Sequence, residues 1–250
     1  MIGRPRVAVT GAARRVGRAV ALELARHGAD LLLTCHTSCD ELHATAEDAV
    51  RVASDAGYTI DVTCLTVDLN VADAVERTGR DLAALSLDGL AGLVHNASTY
   101  TPTPLGSITS EDVLTQFRVN AMAPLLLTQA LAANLRRARG AVVFFSDIHA
   151  LGRPRRRFTA YSMSKAAASD LVATLAIELA PEVRVNGLAP GVIAWPDDVD
   201  FEERAAYERR IPLGRPGTPE EAARLVRWLL FDASYLTGEI VRIDGGRWLR

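Results

Sequence analysis

The segment Ala141–Ser146, AVVFFS, is apolar at five consecutive positions, so both faces of an extended chain there avoid water. Such a strand must be covered on both sides, which points to a parallel sheet sandwiched between helices. Short apolar runs of this kind alternate with amphipathic stretches along the whole chain. Strands are predicted over Arg6–Thr10, Leu31–Cys35, Thr59–Val67, Gly92–His95, Ala141–Ser146, Arg184–Leu188 and Ile240–Ile243. Between them, helical spacing covers Arg15–His27, Cys39–Ala56, Val71–Leu85, Glu111–Arg137, Ala160–Leu179, Asp197–Arg210 and Pro219–Leu230. Gly28 and Gly57 close two of these helices, Pro181 a third, and Pro124 marks a kink or junction in the fourth stretch. No repeat or low-complexity linker divides the chain. The expectation is an α/β fold, one doubly wound Rossmann-like domain over residues 1–250.

Composition narrows the function classes. A net charge of -2 argues against a nucleic-acid binder held by phosphate contacts. No apolar run approaches the roughly 18 residues of a membrane span, and the apolar stretch after the basic start is too short for a secretory signal. Cys35, Cys39 and Cys64 fit neither a metal pair nor a disulfide framework and read as reduced thiols. A cytoplasmic protein without a metal is expected.

The first strand-to-helix turn, VAVTGAARRVGRAVALEL, puts Gly11 at the strand end and Gly17 in the first helical turn. Glycines there let the backbone approach a pyrophosphate, which the helix N-terminus favours electrostatically. Arg15 stands where a dinucleotide fingerprint has its middle glycine. The second strand runs out through Leu33-Thr34-Cys35-His36-Thr37-Ser38 without a carboxylate to grip a ribose diol. That absence, together with Arg14, favours NADP over NAD. His36 and Thr37 are candidate cofactor contacts, although a lone histidine is more often a surface residue.

Of the 28 basic residues only Lys165 is lysine. A lysine that survives such a bias is one whose geometry and titration arginine cannot replace. It lies four residues after Tyr161 in YSMSK, on the same helix face, where an ammonium can reach the phenol and lower its pKa. An acid–base pair is the expected chemistry.

With these motifs in order, the sequence resembles the short-chain dehydrogenase/reductase family over essentially its whole length. The resemblance rests on Thr10-Gly11 with Gly17, Asp68-Leu69, Asn96-Ala97-Ser98, Asn120, Tyr161 with Lys165, Val185-Asn186-Gly187 and Pro190-Gly191. It implies an NAD(P)-dependent oxidoreductase. Asp68 and Leu69 would flank the adenine, with Asn96 and Ala97 beside the cofactor. Lys165 would hold the nicotinamide ribose, and Asn120 a water relay behind it. Pro190-Gly191 would face the nicotinamide. By the same resemblance, the helices within Glu111–Arg137 and Ala160–Leu179 would build a homotetramer, helped by a small face of Ala166, Ala167, Ala173 and Ala176.

Two departures look like the pteridine reductases and the related dihydromonapterin and dihydrofolate reductases of this family. One is Arg15. The other is Asp147, where the family has a serine before its tyrosine. The segment HNASTYTPTPLG (residues 95–106) and the terminal IDGGRWLR match too. That likeness implies an NADPH-dependent reductase of a dihydropteridine or dihydrofolate. Tyr100 would stack on the pterin, and Arg15 and Ser98 would bond pterin and cofactor phosphates. The chemistry is consistent: a serine hydroxyl can donate to a forming alkoxide, whereas an ionised aspartate cannot, but a pterin offers NH groups to a carboxylate. Ser146 is the rival for this position, because Asp147 sits 14 residues before Tyr161, one more than the subgroup leads one to expect. A ketone reductase using Ser146 is the alternative activity. A non-catalytic sensor is disfavoured by the intact Tyr161, Lys165 and Asn120. The run Arg153-Pro154-Arg155-Arg156-Arg157 reads as a solvated loop, with a contact to a substrate glutamate or phosphate tail as the lesser possibility. Trp195-Pro196 is assigned to a substrate loop, with simple packing as the rival reading for Trp195.

Overall fold

Seven strands in the computed structural model, which describes residues 4–193, 195 and 200–250, form one fully parallel sheet. They are β1 (Arg6–Val9), β2 (Asp30–Cys35), β3 (Val62–Thr66), β4 (Gly92–His95), β5 (Ala141–Phe145), β6 (Arg184–Pro190) and β7 (Ile240–Ile243). Their spatial order is β3-β2-β1-β4-β5-β6-β7. The register aligns Val9 with Leu33 and Val94, and Phe144 with His95 and Gly187. The α/β expectation is met, as a single doubly wound domain.

Alternation along each strand divides the core in two. Val7, Val9, Leu31, Leu33, Val143 and Phe145 face one side, where α1 (Arg15–Arg26), α2 (Cys39–Asp55) and α8 (Pro219–Phe231) cover them. Ala8, Leu32, Leu93, Val142, Phe144 and Val185 face the other, beneath α3 (Ala72–Leu85), α5 (Ala123–Ala138) and α6 (Thr159–Glu178). Each fully buried Leu, Val or Phe contributes about 1.5–3 kcal/mol, which is why every strand needs both layers.

The stretch around Pro124 resolves into three pieces. Helix α4 (Ser110–Phe117) opens on a capping box, with Thr109 and Asp112 bonding each other's backbone N–H. A π turn, Arg118–Met122, follows, and Pro124 lies in the first turn of α5, where a missing N–H does no harm. The predicted junction is therefore a widened turn holding Asn120. Helix α7 (Phe201–Glu208) is shorter than the predicted Asp197–Arg210, whose residues 197–199 lie outside the described residues, as does Pro196. The third strand begins at Val62 rather than Thr59.

Candidate active site

Strand order reverses between β1 and β4, and the carboxyl ends of these strands open a crevice there. Thr10 and Asn96 leave the two strands side by side and are laced together. Asn96 Nδ2 donates to the carbonyls of Thr10 (3.0 Å) and Gly11 (2.9 Å), while the N–H groups of Asn96 and Ala97 both donate to Thr10 Oγ1 at 3.1 Å. This lacing explains the glycines. A Cβ on Gly17 would lie 2.0 Å from the Gly11 carbonyl oxygen, and one on Gly11, at φ +67°, would lie 2.9 Å from Ala97 Cα. Arg15 takes φ 50°, the left-handed geometry that its glycine counterpart would adopt without strain.

A cavity of about 610 Å³ lies over this turn. It is lined by Gly11, Arg14, Arg15, Gly17, His36, Asp68, Leu69, Asn96, Ala97 and Ser98. The first turn of α1 carries no acidic residue and no capping side chain, whereas α2, α4 and α8 all have acids in their first turns. Its N–H groups and positive dipole end therefore fit an external anion. Of the residues expected to hold a dinucleotide's adenosine half, Thr37 is exposed and does not line this cavity. Arg14 pairs with Glu41 of α2, and the guanidinium holds the Glu41 carboxyl below its ordinary value. The absence of an acid at the end of β2 thus understates the local negative charge. His36 Nε2 lies 3.6 Å from Asp68 Oδ2, so that histidine also faces a carboxylate.

A second cavity of about 970 Å³ continues from the first past Arg15, Val16, Asn96 and Ser98. Tyr161 and Lys165 reach it from the inner face of α6, with Ser164, Ala168 and Val172 buried on the same stripe. Tyr161 Oη donates to Asp147 Oδ2 at 2.8 Å. The other oxygen, Asp147 Oδ1, accepts the His149 N–H at 2.7 Å, which fixes the carboxylate. Ser146 lines the same cavity, but its Oγ lies 2.5 Å from Ser169 Oγ, one helical turn beyond Lys165 on α6. Of the two, Asp147 is the one bonded to the phenol.

Lys165 is 4% exposed and donates to the Phe145 carbonyl at 2.8 Å. Burial pushes its ammonium down from 10.5 to about 8, and the Asp147 charge opposes that. The expectation that the lysine lowers the tyrosine is not met in this structure. Burial first, then the negative charge and hydrogen bond of Asp147, raise Tyr161 well above an ordinary phenol. Lys165 spends its hydrogen bond on a carbonyl, and the carboxylate takes the phenol's proton bond.

Asn120 is buried in the π turn. Its Nδ2 donates to the Thr99 carbonyl (3.0 Å) and Ser164 Oγ (2.9 Å), while Oδ1 accepts from Ser98 Oγ (3.0 Å) and the Thr99 N–H (2.9 Å). It therefore locks the strand β4 exit to α6. Tyr100 stacks on Phe158 with centroids 4.5 Å apart and meets Tyr161 edge-on at 4.7 Å. One of its faces is thus already covered. Pro190 and Gly191 line the same cavity, with Gly191 pressed against Asp244 so closely that a Cβ would come within 3.1 Å.

The sequence reading did not single out Phe158, His149, Tyr207 or Glu41. Phe158 lies one helical turn before Tyr161, a spacing that could have flagged it. The others depend on loops whose path no local pattern encodes. Trp195 lines the cavity and donates from Nε1 to Glu208 Oε1 at 2.8 Å.

Residues 11–247 match a family model described as enoyl-(acyl carrier protein) reductase. The chain is similar to a glucose 1-dehydrogenase of Gluconobacter oxydans (strain 621H), with 32% identity covering 96% of this chain and 91% of the relative. It is also similar to pteridine reductase 1 of Leishmania tarentolae, 31% identical over 97% of this chain and 96% of that protein. Among solved structures, acetoin dehydrogenase from Salmonella typhimurium superposes with a TM-score of 0.87 at 27% identity, covering 99% of this chain and 98% of that one.

Proposed function

The chain belongs to the short-chain dehydrogenase/reductase family, and from that premise we propose that it is an NADPH-dependent reductase of a reduced pterin, a dihydropteridine or dihydrofolate, acting in the cytoplasm as a homotetramer. One observation carries the substrate reading: the proton-bearing phenol of Tyr161 is bonded to a carboxylate, Asp147, and not to a hydroxyl. A ketone reductase gains from a second donor at the forming alkoxide, and a fixed carboxylate would repel that charge. A pterin C=N presents ring NH groups, which a carboxylate accepts.

The glycine-lined turn, the uncapped start of α1 and the continuous cleft fit a dinucleotide. Gly11, Arg14, Arg15 and Gly17 would hold its phosphates, Asp68 and Leu69 its adenine, and Lys165, Pro190 and Gly191 its nicotinamide end. When bound, the cofactor supplies a hydride. The chain's own residues handle the proton. Tyr161 holds it at Oη, above its ordinary pKa and so still protonated at neutral pH, ready for the substrate nitrogen. The Lys165 ammonium offsets the phenolate left behind. Asn120 keeps Ser98 and the helix bearing Tyr161 in register, and Ser98 and Arg15 approach the substrate from the turn side. A heterocycle would stack against Tyr100, which is partly exposed at the cavity.

The rival is reduction of a ketone such as a 3-oxoacyl thioester or a sugar with Ser146 as donor, and the family's range of substrates keeps it worth testing. Dihydrobiopterin, dihydrofolate and an acetoacetyl thioester are offered with NADPH to the native enzyme and to Asp147→Ser. The proposal expects dihydropteridine turnover in the native enzyme and its loss in the variant. Undiminished dihydropteridine turnover in Asp147→Ser, or thioester reduction alone in the native enzyme, refutes it.

A further inference from the structure

Three non-glycine residues among those described have a left-handed backbone: Arg15 (φ 50°), Arg139 (φ 50°) and Arg157 (φ 70°). Arg139 ends α5, where that geometry is an ordinary helix stop. The other two end no helix, and both line the 970 Å³ cavity. Such a conformation costs about 1–2 kcal/mol and persists only where its surroundings impose it.

At Arg157 those surroundings are visible. The Thr103 N–H donates to the Arg157 carbonyl at 2.7 Å, and Thr103 bridges to Phe158, which is buried against Tyr100. The loop is also pinned at its start. The Arg153 guanidinium donates to the Trp248 carbonyl from Nε at 3.0 Å and from Nη2 at 2.7 Å. Between these anchors, Arg155 donates to Tyr100 Oη at 2.5 Å. Arg156 and Arg157 are exposed at the cavity wall and meet no carboxylate among the described residues. The described lining carries four arginines and Lys165 against one carboxylate, Asp147, in a chain whose net charge is -2. The positive charge is therefore local to this wall and not a consequence of composition.

We infer that Arg156 and Arg157 form a subsite for the carboxylate tail of the substrate, so that a folate-type dihydropterin is preferred over a neutral one. The inference rests on the pterin reading above for the identity of the ring, and on the loop for the tail. A guanidinium meets a carboxylate with two parallel N–H donors, and the pinned backbone keeps both arginines at the cavity wall. Solvent screens the pair, so the gain is modest and salt-sensitive.

The test compares kcat and KM for dihydrofolate and dihydrobiopterin in the native enzyme, Arg156→Gln and Arg157→Gly. Glycine accepts φ 70° without strain, so Arg157→Gly removes the charge and keeps the loop. For each variant the KM for dihydrofolate is expected to rise about fivefold with kcat nearly held. The dihydrofolate to dihydrobiopterin ratio of kcat/KM should fall by the same factor, and the native preference should shrink near 1 M salt. A ratio unmoved by both variants overturns the subsite. If the native enzyme reduces neither pterin, the ring assignment has failed. The tail subsite is then judged alone, by calorimetric binding of 4-aminobenzoylglutamate to the NADPH-loaded protein. Weakening in the Arg156→Gln/Arg157→Gly double variant sustains it, and binding that is absent or equal in both proteins overturns it.

Discussion

Replacing Lys165 with Met should make the protein more stable while removing its catalytic competence. The ammonium is buried, and its pKa falls from 10.5 to about 8. That difference corresponds to about 3 kcal/mol by which the folded state disfavours the charged lysine. Methionine has similar length and packs without that penalty. It forfeits the hydrogen bond to the Phe145 carbonyl, worth about 1 kcal/mol. The net gain at neutral pH is about 2 kcal/mol. The sign with pH follows from proton binding. Between about 8 and 10.5 the unfolded lysine keeps a proton that the folded one has released, so native stability rises with pH through that window. Below about 8 both states are protonated and the full penalty applies. Tyr161, raised in the fold, acts oppositely above 10, so the native protein is compared with Lys165→Met at each pH. Urea melts from about pH 7 to about pH 10 read the difference, which should narrow as pH rises. Because Lys165 is the sole lysine, a sample labelled with 13C at lysine Cε gives one resonance, whose midpoint reports the folded pKa directly. A variant less stable than the native protein at pH 7, or a resonance titrating near 10.5, refutes the reasoning.

Four further outcomes are expected. Tyr161→Phe keeps the ring against Tyr100 but deletes the acid, so kcat should fall by about 10²–10⁴ with NADPH affinity nearly unchanged in a fluorescence titration. Arg14→Glu should weaken NADPH more than NADH by about 1 kcal/mol, the low end for a phosphate contact, because Glu41 already competes for that guanidinium; equal kcat/KM changes for the two cofactors would show that Arg14 does not read the phosphate. His95, whose burial lowers its pKa from 6.5 to about 3, binds fewer protons folded than unfolded in that interval, so stability falls as pH drops below 6.5. By about pH 5 the loss should reach about 2 kcal/mol in urea melts, and His95→Gln should abolish that slope. Light scattering should give a mass well above one 26.9 kDa chain, since Leu114 and Phe117 are exposed on α4 and Met163 on α6.

Much of this molecule is written in local pattern. Strands apolar on both faces required two helical layers, and the i, i+4 spacing of Tyr161 and Lys165 put both on one face of α6 whatever the rest of the chain did. Gly11 and Gly17 marked the tight turn in the sequence, although the contact that crowds Gly11 comes from Ala97 on the next strand's exit. Other features depended on residues far apart in sequence meeting in space. Which of Ser146 and Asp147 bonds the Tyr161 phenol depended on how the strand exit packs on α6, where Asp147 meets Tyr161 and Ser146 meets Ser169. The pKa of Tyr161 is set by burial and by a carboxylate 14 residues away, neither of which the spacing to Lys165 discloses. The open alanine face expected for assembly loses Ala176, which the fold buries against the sheet at 5% exposure, while Ala166 and Ala173 stay outside. Glu41 reached Arg14 from the next helix, and the backbone of Arg157 was held by a bond from the Thr103 N–H. Periodicity fixes which way a side chain leaves its own helix or strand, but only the packed fold decides which charge it will find there, because charges act through distance in space and not along the chain.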